Sequence, residues 1–432
     1  MKILEISGGI PLNGDVCIGG AKNASMPIII ASLLSKQNVL IHNIPHVLDV
    51  VNLLQILKYI GVNIAIDGNH TDNPSKTISL SSNVVQSCIV NPERTQKIRT
   101  SILLLGPLLA RNGYVKLAQP GGCDIGDRKI DLHISAMRKL GAEVNEVNGC
   151  IEAKTVNGKL KGAEIEFSMI SVGATENTIM AAVLADGRTI LKNVAIEPEI
   201  SDLISFLNKS GAKIQQKDGR VIIIDGVSEL KEVEYSIMPD RIEAATYAMF
   251  AAITGGRIKM HYCPMNMFDC VAEVFHKVGV NIVPFFSENG VEGVIASRSE
   301  MGTFPVEIET NPYPLFPTDI QPQLMTLLAL TNGKSIITEN IFENRLQHAI
   351  ELKKLGADIT IDGRRAIING VKKFHSGTVT STDLRAGTSL MMAGLASKAK
   401  IIIHKAEYID RGYQMIAKNL QRLGADINVI VE

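Results

Sequence analysis

The sequence predicts an α/β chain of two lobes, each assembled from three repeated αβ units. Three observations predict it. The chain has 432 residues, 46% of them apolar and 20% charged, which is globular composition and too much chain for one ordinary core. A helix-like run closed by Gly and followed by alternating apolar residues occurs six times. Between these runs lie stretches of small and branched residues with few polar positions, which read as helices buried on all sides.

The repeated unit reads Leu57-Lys58-Tyr59-Ile60-Gly61-Val62, then Met137 to Ala142, Leu207 to Ala212, Phe275 to Val280, Leu352 to Ala357 and Leu420 to Ala425. Its glycines fall at 61, 141, 211, 279, 356 and 424, with spacings of 80, 70, 68, 77 and 68 residues. Each Gly is expected just past a helix end in the left-handed conformation, turning the chain into a strand such as Asp358–Ile361. The buried helices are expected at Thr178–Ala185, Ala244–Ile253 and Ser389–Ala396, with others at Pro27–Leu34 and Thr100–Leu109. A unit of this length cannot bury a core alone, so the six group three and three. A cleft between two such lobes is the usual place for a ligand.

Charge and cysteine usage exclude several classes. Lys+Arg and Asp+Glu are both 44, which argues against a nucleic-acid binder that works by counterion release but permits a local basic pocket. The six cysteines form no C-x-x-C pair, so zinc-ribbon and thioredoxin-like readings fail. Scattered cysteines, and no apolar run of signal-peptide length after Met1, lead to the expectation of a reducing cytoplasm. No metal or cofactor is expected, since the nine histidines show no ligand spacing. Asn332-Gly333-Lys334-Ser335 lacks the first glycine of a phosphate-binding loop, because position 328 is Leu.

The chemistry-bearing stretches are taken in chain order. Gly19-Gly20-Ala21-Lys22-Asn23 sets a cation at a glycine-flanked helix start, which suits an anion but equally an ordinary helix capped by Asn23 or Ser25. Arg94, Lys97 and Arg99 form a basic turn. Pro120-Gly121-Gly122-Cys123-Asp124-Ile125-Gly126-Asp127-Arg128 holds one thiol among charged neighbours, unlike the apolar setting of a structural cysteine. Arg128, Asp131 and His133 would alternate sides if that segment is extended. Ser171 to Thr175 is a small-residue loop opening a helix. Glu197-Pro198-Glu199 and Pro239-Asp240-Arg241 look like helix starts with Pro near the first position. Phe316-Pro317-Thr318-Asp319 offers a general base or a cap. Arg345, Arg385 and Arg411 each sit at a turn beside an acid, as capped helices with local ion pairs do, and three such arginines in one half suggest a polyanion site.

Together, Gly20 to Ala24, Pro120 to Cys123, Gly126 to His133, Ser171 to Thr175, Pro239 to Glu243, Phe316 to Asp319, Phe342 to Arg345, Thr382 to Arg385 and Ile409 to Tyr413 resemble the UDP-N-acetylglucosamine enolpyruvyl transferase family over the whole chain. The resemblance implies an inverse α/β barrel of two threefold lobes, one at 22–239 and one joining 1–21 to 240–432. It implies transfer of enolpyruvyl from phosphoenolpyruvate to the 3′-hydroxyl of UDP-N-acetylglucosamine, the first committed step of peptidoglycan synthesis, with lobe closure on the sugar. Lys22, Asn23, Arg128, Arg345, Arg385 and Arg411 would then hold phosphoenolpyruvate. Asn23, Arg99, Arg128, Lys129, Ile130, Asp131, Leu132, Ser171, Val172, Gly173, Asp319 and Ile341 would contact the nucleotide sugar. Asp319 would orient or deprotonate the 3′-hydroxyl, with Lys22 and Arg411 at the reacting centre. Cys123 would protonate C3 or act in product release, and would be the thiol that fosfomycin labels. Met169, Lys129 and Asp127 depart from the family's usual residues. The alternatives are an enolpyruvyl transferase for shikimate 3-phosphate, and a non-catalytic nucleotide-sugar-binding relative.

Overall fold

The computed structural model describes residues 1–68, 75–90, 92–121, 125–287 and 290–431. They divide into two compact units. A central unit spans 20–121 and 128–238. A terminal unit joins 1–19 to 239–431 and takes in residues 125–127.

Each unit contains three small sheets, one per repeat. In the central unit the strand order is Val233–Ser236, Asn38–Ile44, Lys76–Ser81, Asn63–Asp67 in one sheet and Lys213–Lys217, Val221–Asp225, Arg188–Lys192, Glu164–Glu166 in the second. The third sheet has Tyr114–Ala118, Cys150–Thr155 and Ala142–Val147, and its parallel edge shrinks to the bridge between Ile89 and Lys116. In the terminal unit Glu307–Thr310 runs parallel to Lys334–Glu339, and Asn13–Cys17 parallel to Arg257–His261. The last repeat is completed by the start of the chain. Lys2–Ser7 pairs antiparallel with both Ile401–His404 and Asp426–Val431, so Leu4 faces Ile403 on one side and Val429 on the other.

The outer helices are Leu48–Tyr59, Asp131–Lys139, Pro198–Lys209, Ala272–Val278, His348–Lys354 and Ile416–Arg422. All six repeat glycines follow them at positive φ, from +82° at Gly279 to +103° at Gly424. Strands begin within two residues of each, at Asn63, Ala142, Lys213, Val280, Asp358 and Asp426. The sequence repeat is therefore a structural repeat, and its cause is the left-handed turn that glycine adopts without a Cβ clash.

Each unit buries three helices among its sheets. They are Lys22–Ala31, Leu105–Asn112 and Val172–Ala182 in the central unit, and Arg241–Thr254, Gln321–Ala329 and Leu384–Ala396 in the terminal one. Ala244 through Ala252 are all fully buried, because that run has no polar side chain except Thr246, whose hydroxyl donates to the Ile242 carbonyl at 2.7 Å, and Tyr247. The helix expected from Thr100 is different in detail: Arg99–Leu104 is a 3-10 turn and the α-helix starts at Leu105. Pro107 has no N–H to give and is accommodated only in a first turn. Gly106 lets this helix approach its neighbour, since a Cβ there would stand 2.4 Å from the Asn177 carbonyl oxygen.

Candidate active-site residues

In the central unit, Lys22 and Asn23 open a helix with Ala21 at the cap position and no side-chain cap bond. The expected Asn23 or Ser25 cap is absent: the Ser25 hydroxyl donates instead to the Lys22 carbonyl at 2.9 Å. Ala21 arrives in extended conformation with its N–H on the Met238 carbonyl at 2.8 Å, which already fixes the chain at that point. The Lys22 ammonium is buried and pairs with the Asp49 carboxylate at 2.7 Å. Asp49 stands in the first turn of Leu48–Tyr59, and sequence reading missed it.

A second group gathers around His133. Asp131 opens the helix Asp131–Lys139, so the expected extended alternation of Arg128, Asp131 and His133 does not occur. Helical geometry leaves Asp131 exposed and buries His133. Burial, then the nearby Arg99 and Arg128 charges, pulls the His133 imidazole down to about 3. Its Nδ1 meets the Asn177 amide nitrogen at 2.9 Å. That side chain also donates to the Ile102 carbonyl at 3.1 Å and accepts from the Gly106 N–H at 2.7 Å. The Asn177 amide donates, so His133 accepts on Nδ1 and carries its hydrogen on Nε2.

Arg99 Nη2 donates to the Lys129 carbonyl at 3.3 Å, and the side chains of Ile130 and Leu132 pack on the apolar core. Ser171 caps Val172–Ala182 by accepting the Ala174 N–H at 3.3 Å, as its place before a helix suggests. A Cβ on Gly173 would touch the His133 ring at 3.4 Å. Arg99, Arg128 to His133 and Ser171 to Gly173 thus form one neighbourhood in this unit, basic and set at a helix N-terminus. Met169 is 63% exposed.

In the terminal unit, three of the sequence-selected residues meet directly. Asp319 Oδ1 accepts from Arg345 Nη2 at 3.1 Å and Asp319 Oδ2 from Arg385 Nη2 at 3.0 Å. Asp319 lies in the 3-10 turn Thr318–Ile320, and Ile320 occupies the cap position of the helix Gln321–Ala329. Of the caps expected at the arginine turns, Asp383 makes one, accepting from Arg385 N and Ala386 N at the start of Leu384–Ala396, while Asp410 binds Lys2 Nζ at 2.7 Å. Asp240 likewise caps Arg241–Thr254 through the Ile242 and Glu243 N–H groups at 2.8 and 3.1 Å. Pro239 accordingly lies outside the helix, not near its first position. Pro198 does open its helix, as expected.

Both guanidiniums are buried, Arg385 at 2% exposure and Arg345 at 4%. Arg385 lies over the Tyr413 ring at 5.1 Å, and the Tyr413 hydroxyl is fixed by Gln323 and Thr246 at 2.9 and 3.0 Å. Burial opposes the Arg385 charge, but Tyr413, Asp319 and Asp240 outweigh it and hold its pKa above the ordinary arginine value. Burial and the Asp240 charge push the neighbouring Glu243 carboxyl up to about 8, so it is protonated at pH 7. Two buried arginines therefore share Asp319. Among the described residues, no acceptor lies within hydrogen-bond distance of Arg345 Nε or of Arg385 Nε and Nη1. Such a cluster suits an anion with several oxygens.

Arg411 ends the turn Ala406–Arg411, and a Cβ on the next residue, Gly412, would stand 3.9 Å from Arg385 Nη1. The Ile341 N–H is held by Glu339 at 2.9 Å. Ile125–Asp127 lies against Glu343 and Asn344: the Asn344 N–H donates to the Ile125 carbonyl at 3.0 Å. A Cβ on Gly126, at φ +150°, would come within 2.1 Å of a Glu343 oxygen. Cys123, with Gly122 and Asp124, lies outside the described residues. Among the described residues no helix is long and apolar enough to cross a membrane.

The sequence model of the family described as EPSP synthase (3-phosphoshikimate 1-carboxyvinyltransferase) matches residues 6–420. UDP-N-acetylglucosamine 1-carboxyvinyltransferase from Coxiella burnetii is 43% identical over 427 residues, covering 99% of this chain and 96% of that one. The proteins of the same name from Rickettsia bellii and Nitratidesulfovibrio vulgaris are 43% and 42% identical, each with 99% of both chains covered. Among solved structures, the enolpyruvyl transferase NikO from Streptomyces tendae superposes with a TM-score of 0.86 at 22% identity, over 100% of this chain and 99% of that one. EPSP synthase from Acinetobacter baumannii gives 0.75 at 21%, with both chains fully covered.

Proposed function

The chain belongs to the EPSP synthase family of enolpyruvyl transferases, and from that premise we propose that it moves the enolpyruvyl group of phosphoenolpyruvate onto the 3′-hydroxyl of UDP-N-acetylglucosamine and releases phosphate. The observation that carries this reading is the 42–43% identity, across nearly the full chain, to proteins named for that reaction. Cell-wall precursor synthesis in the cytoplasm is the setting that reading implies.

The residues support the chemistry as follows. The acceptor oxygen bonds to C2 of phosphoenolpyruvate and loses its proton, with Asp319 orienting the hydroxyl or taking that proton, while a proton is delivered to C3; a tetrahedral ketal results. C3 then gives up a proton, the C2–O bond to phosphate breaks, and the enol ether remains on the sugar. Asp319 is suited to meet a hydroxyl because Arg345 and Arg385 fix both of its oxygens. The same guanidiniums, with Arg411, would receive the anionic oxygens of phosphoenolpyruvate, as would Lys22, Asn23 and Arg128. Arg99, Arg128 to Leu132, Ser171 to Gly173, Asn23 and Ile341 would hold the nucleotide sugar. Cys123 would supply the C3 proton or assist product release. No cofactor takes part in this scheme.

The reading is tested by phosphate release from phosphoenolpyruvate with each acceptor. Release that depends on UDP-N-acetylglucosamine supports it. Release with shikimate 3-phosphate alone, the acceptor in the matched family's description, would transfer the assignment to that reaction. A second check concerns the thiol: Cys123→Ser is expected to abolish covalent inactivation by fosfomycin, and labelling retained in that variant would contradict the role given to Cys123.

A further inference from the structure

Glu339 ends the strand Lys334–Glu339 on the side that also buries Ser335 and Ile337, and it is fully buried. Burying a carboxylate is unfavourable unless its oxygens are matched by donors. Here they are, and the donors come from two loops. Oε2 accepts the Thr318 hydroxyl at 2.9 Å, and Oε1 accepts the N–H groups of Ile341 at 2.9 Å and Phe342 at 3.1 Å. Thr318 immediately precedes Asp319. Ile341 and Phe342 begin the loop that ends in Arg345, which grips Asp319 at 3.1 Å.

The backbone that bears Glu339 is fixed independently. Its N–H donates to the Arg364 carbonyl at 2.8 Å, and Arg364 Nη1 donates back to the carbonyls of Glu339 and Asn340 at 3.3 and 3.0 Å. The next N–H, of Asn340, is held by Thr310 Oγ1 at 3.0 Å. A sheet-anchored carboxylate thus ties down both the segment that carries Asp319 and the segment that carries Ile341 and Arg345. An apolar side chain would fill the space equally well and would tie down neither.

We propose that Glu339 is a positioning residue for the acceptor-hydroxyl site, setting Asp319 through Thr318 and Arg345 through the Ile341 and Phe342 amides. This rests on the enolpyruvyl transfer to UDP-N-acetylglucosamine proposed above. Glu339 does not touch substrate; it determines where the residue that meets the 3′-hydroxyl stands.

The test uses the full-length enzyme and three variants, each with steady-state kinetics in both substrates and a melting temperature. Thr318→Val keeps the side-chain shape and deletes one bond. It is expected to lower kcat about tenfold, since small misplacement of a catalytic group costs up to about a hundredfold, while KM for phosphoenolpyruvate stays near wild type and the melting temperature falls by a few degrees, because Glu339 Oε2 loses its hydroxyl donor. Glu339→Ala is expected to lower kcat further. Glu339→Gln is expected to restore most of it, because the amide oxygen still accepts both N–H groups and the amide nitrogen donates to a Thr318 hydroxyl that has turned round. Wild-type kcat in Thr318→Val, or Glu339→Gln as poor as Glu339→Ala, would overturn the proposal while leaving the proposed reaction standing. If wild type fails to turn over UDP-N-acetylglucosamine at all, the proposed reaction falls and this inference falls with it.

Discussion

His133 shows how one buried side chain turns local geometry into a pH response. Its pKa of about 3 in the fold lies below the ordinary imidazole value of 6.5, so the unfolded chain binds the proton that the folded chain refuses. Stability is therefore intact above about 6.5 and is lost as pH falls toward 3, by up to about 1.4 kcal/mol per pH unit from this one group. His348, pulled down to about 4 by burial, adds in the same direction. His133→Asn is expected to flatten the fall in denaturation midpoint between pH 6.5 and pH 4; a slope equal to wild type would contradict the assignment. The signal for this site was partly present in the sequence. Asn177 stands beside Thr175, Glu176 and Thr178 in a helix of otherwise small and apolar residues, and a buried polar group needs a partner; the partner's identity, 44 residues away, was not readable.

At the scale of elements, the helix-ending glycine is the feature most exposed to test. Gly424 has φ +103° and no atom within 4 Å of where a Cβ would stand. Gly424→Ala therefore probes backbone strain without a clash, and is expected to cost about 1–2 kcal/mol, read as a lower denaturation midpoint with the slope unchanged. An unchanged midpoint would mean the turn does not require glycine. Glu339 teaches a different lesson about legibility. Alternation along Lys334–Glu339 sets position 339 on one face with Ser335 and Ile337, but with one isoleucine on each face the pattern does not say which side is inward, and the donors to Glu339 lie in two other loops. Asp319 was chosen from a rigid Pro-rich loop with base and cap both open; only coordinates reveal that Arg345 and Arg385 take its oxygens. Sequence neighbours did not reveal the partner of Arg385, which is Asp319, because the adjacent Asp383 caps the helix with Oδ1.

For the molecule as a whole, periodicity carried the architecture. Six glycines at near-regular spacing pointed to six αβ repeats, and the described residues form six small sheets. Periodicity has no means of showing that Lys2–Ser7 supplies the strand missing from the last repeat, since that pairing spans the full chain length; family resemblance alone raised it. The candidate site residues were likewise chosen by motif more than by local physics, because an arginine at a turn is ordinary until its partner is known.

The proposed acceptor is a sugar hydroxyl on a uridine nucleotide. NMR of the nucleotide recovered after incubation with phosphoenolpyruvate reads it most directly. New vinyl protons are expected on a group attached at the 3′-oxygen of the N-acetylglucosamine ring, with one phosphate released per modified sugar. An unmodified nucleotide, or a group attached to any other oxygen, would contradict it.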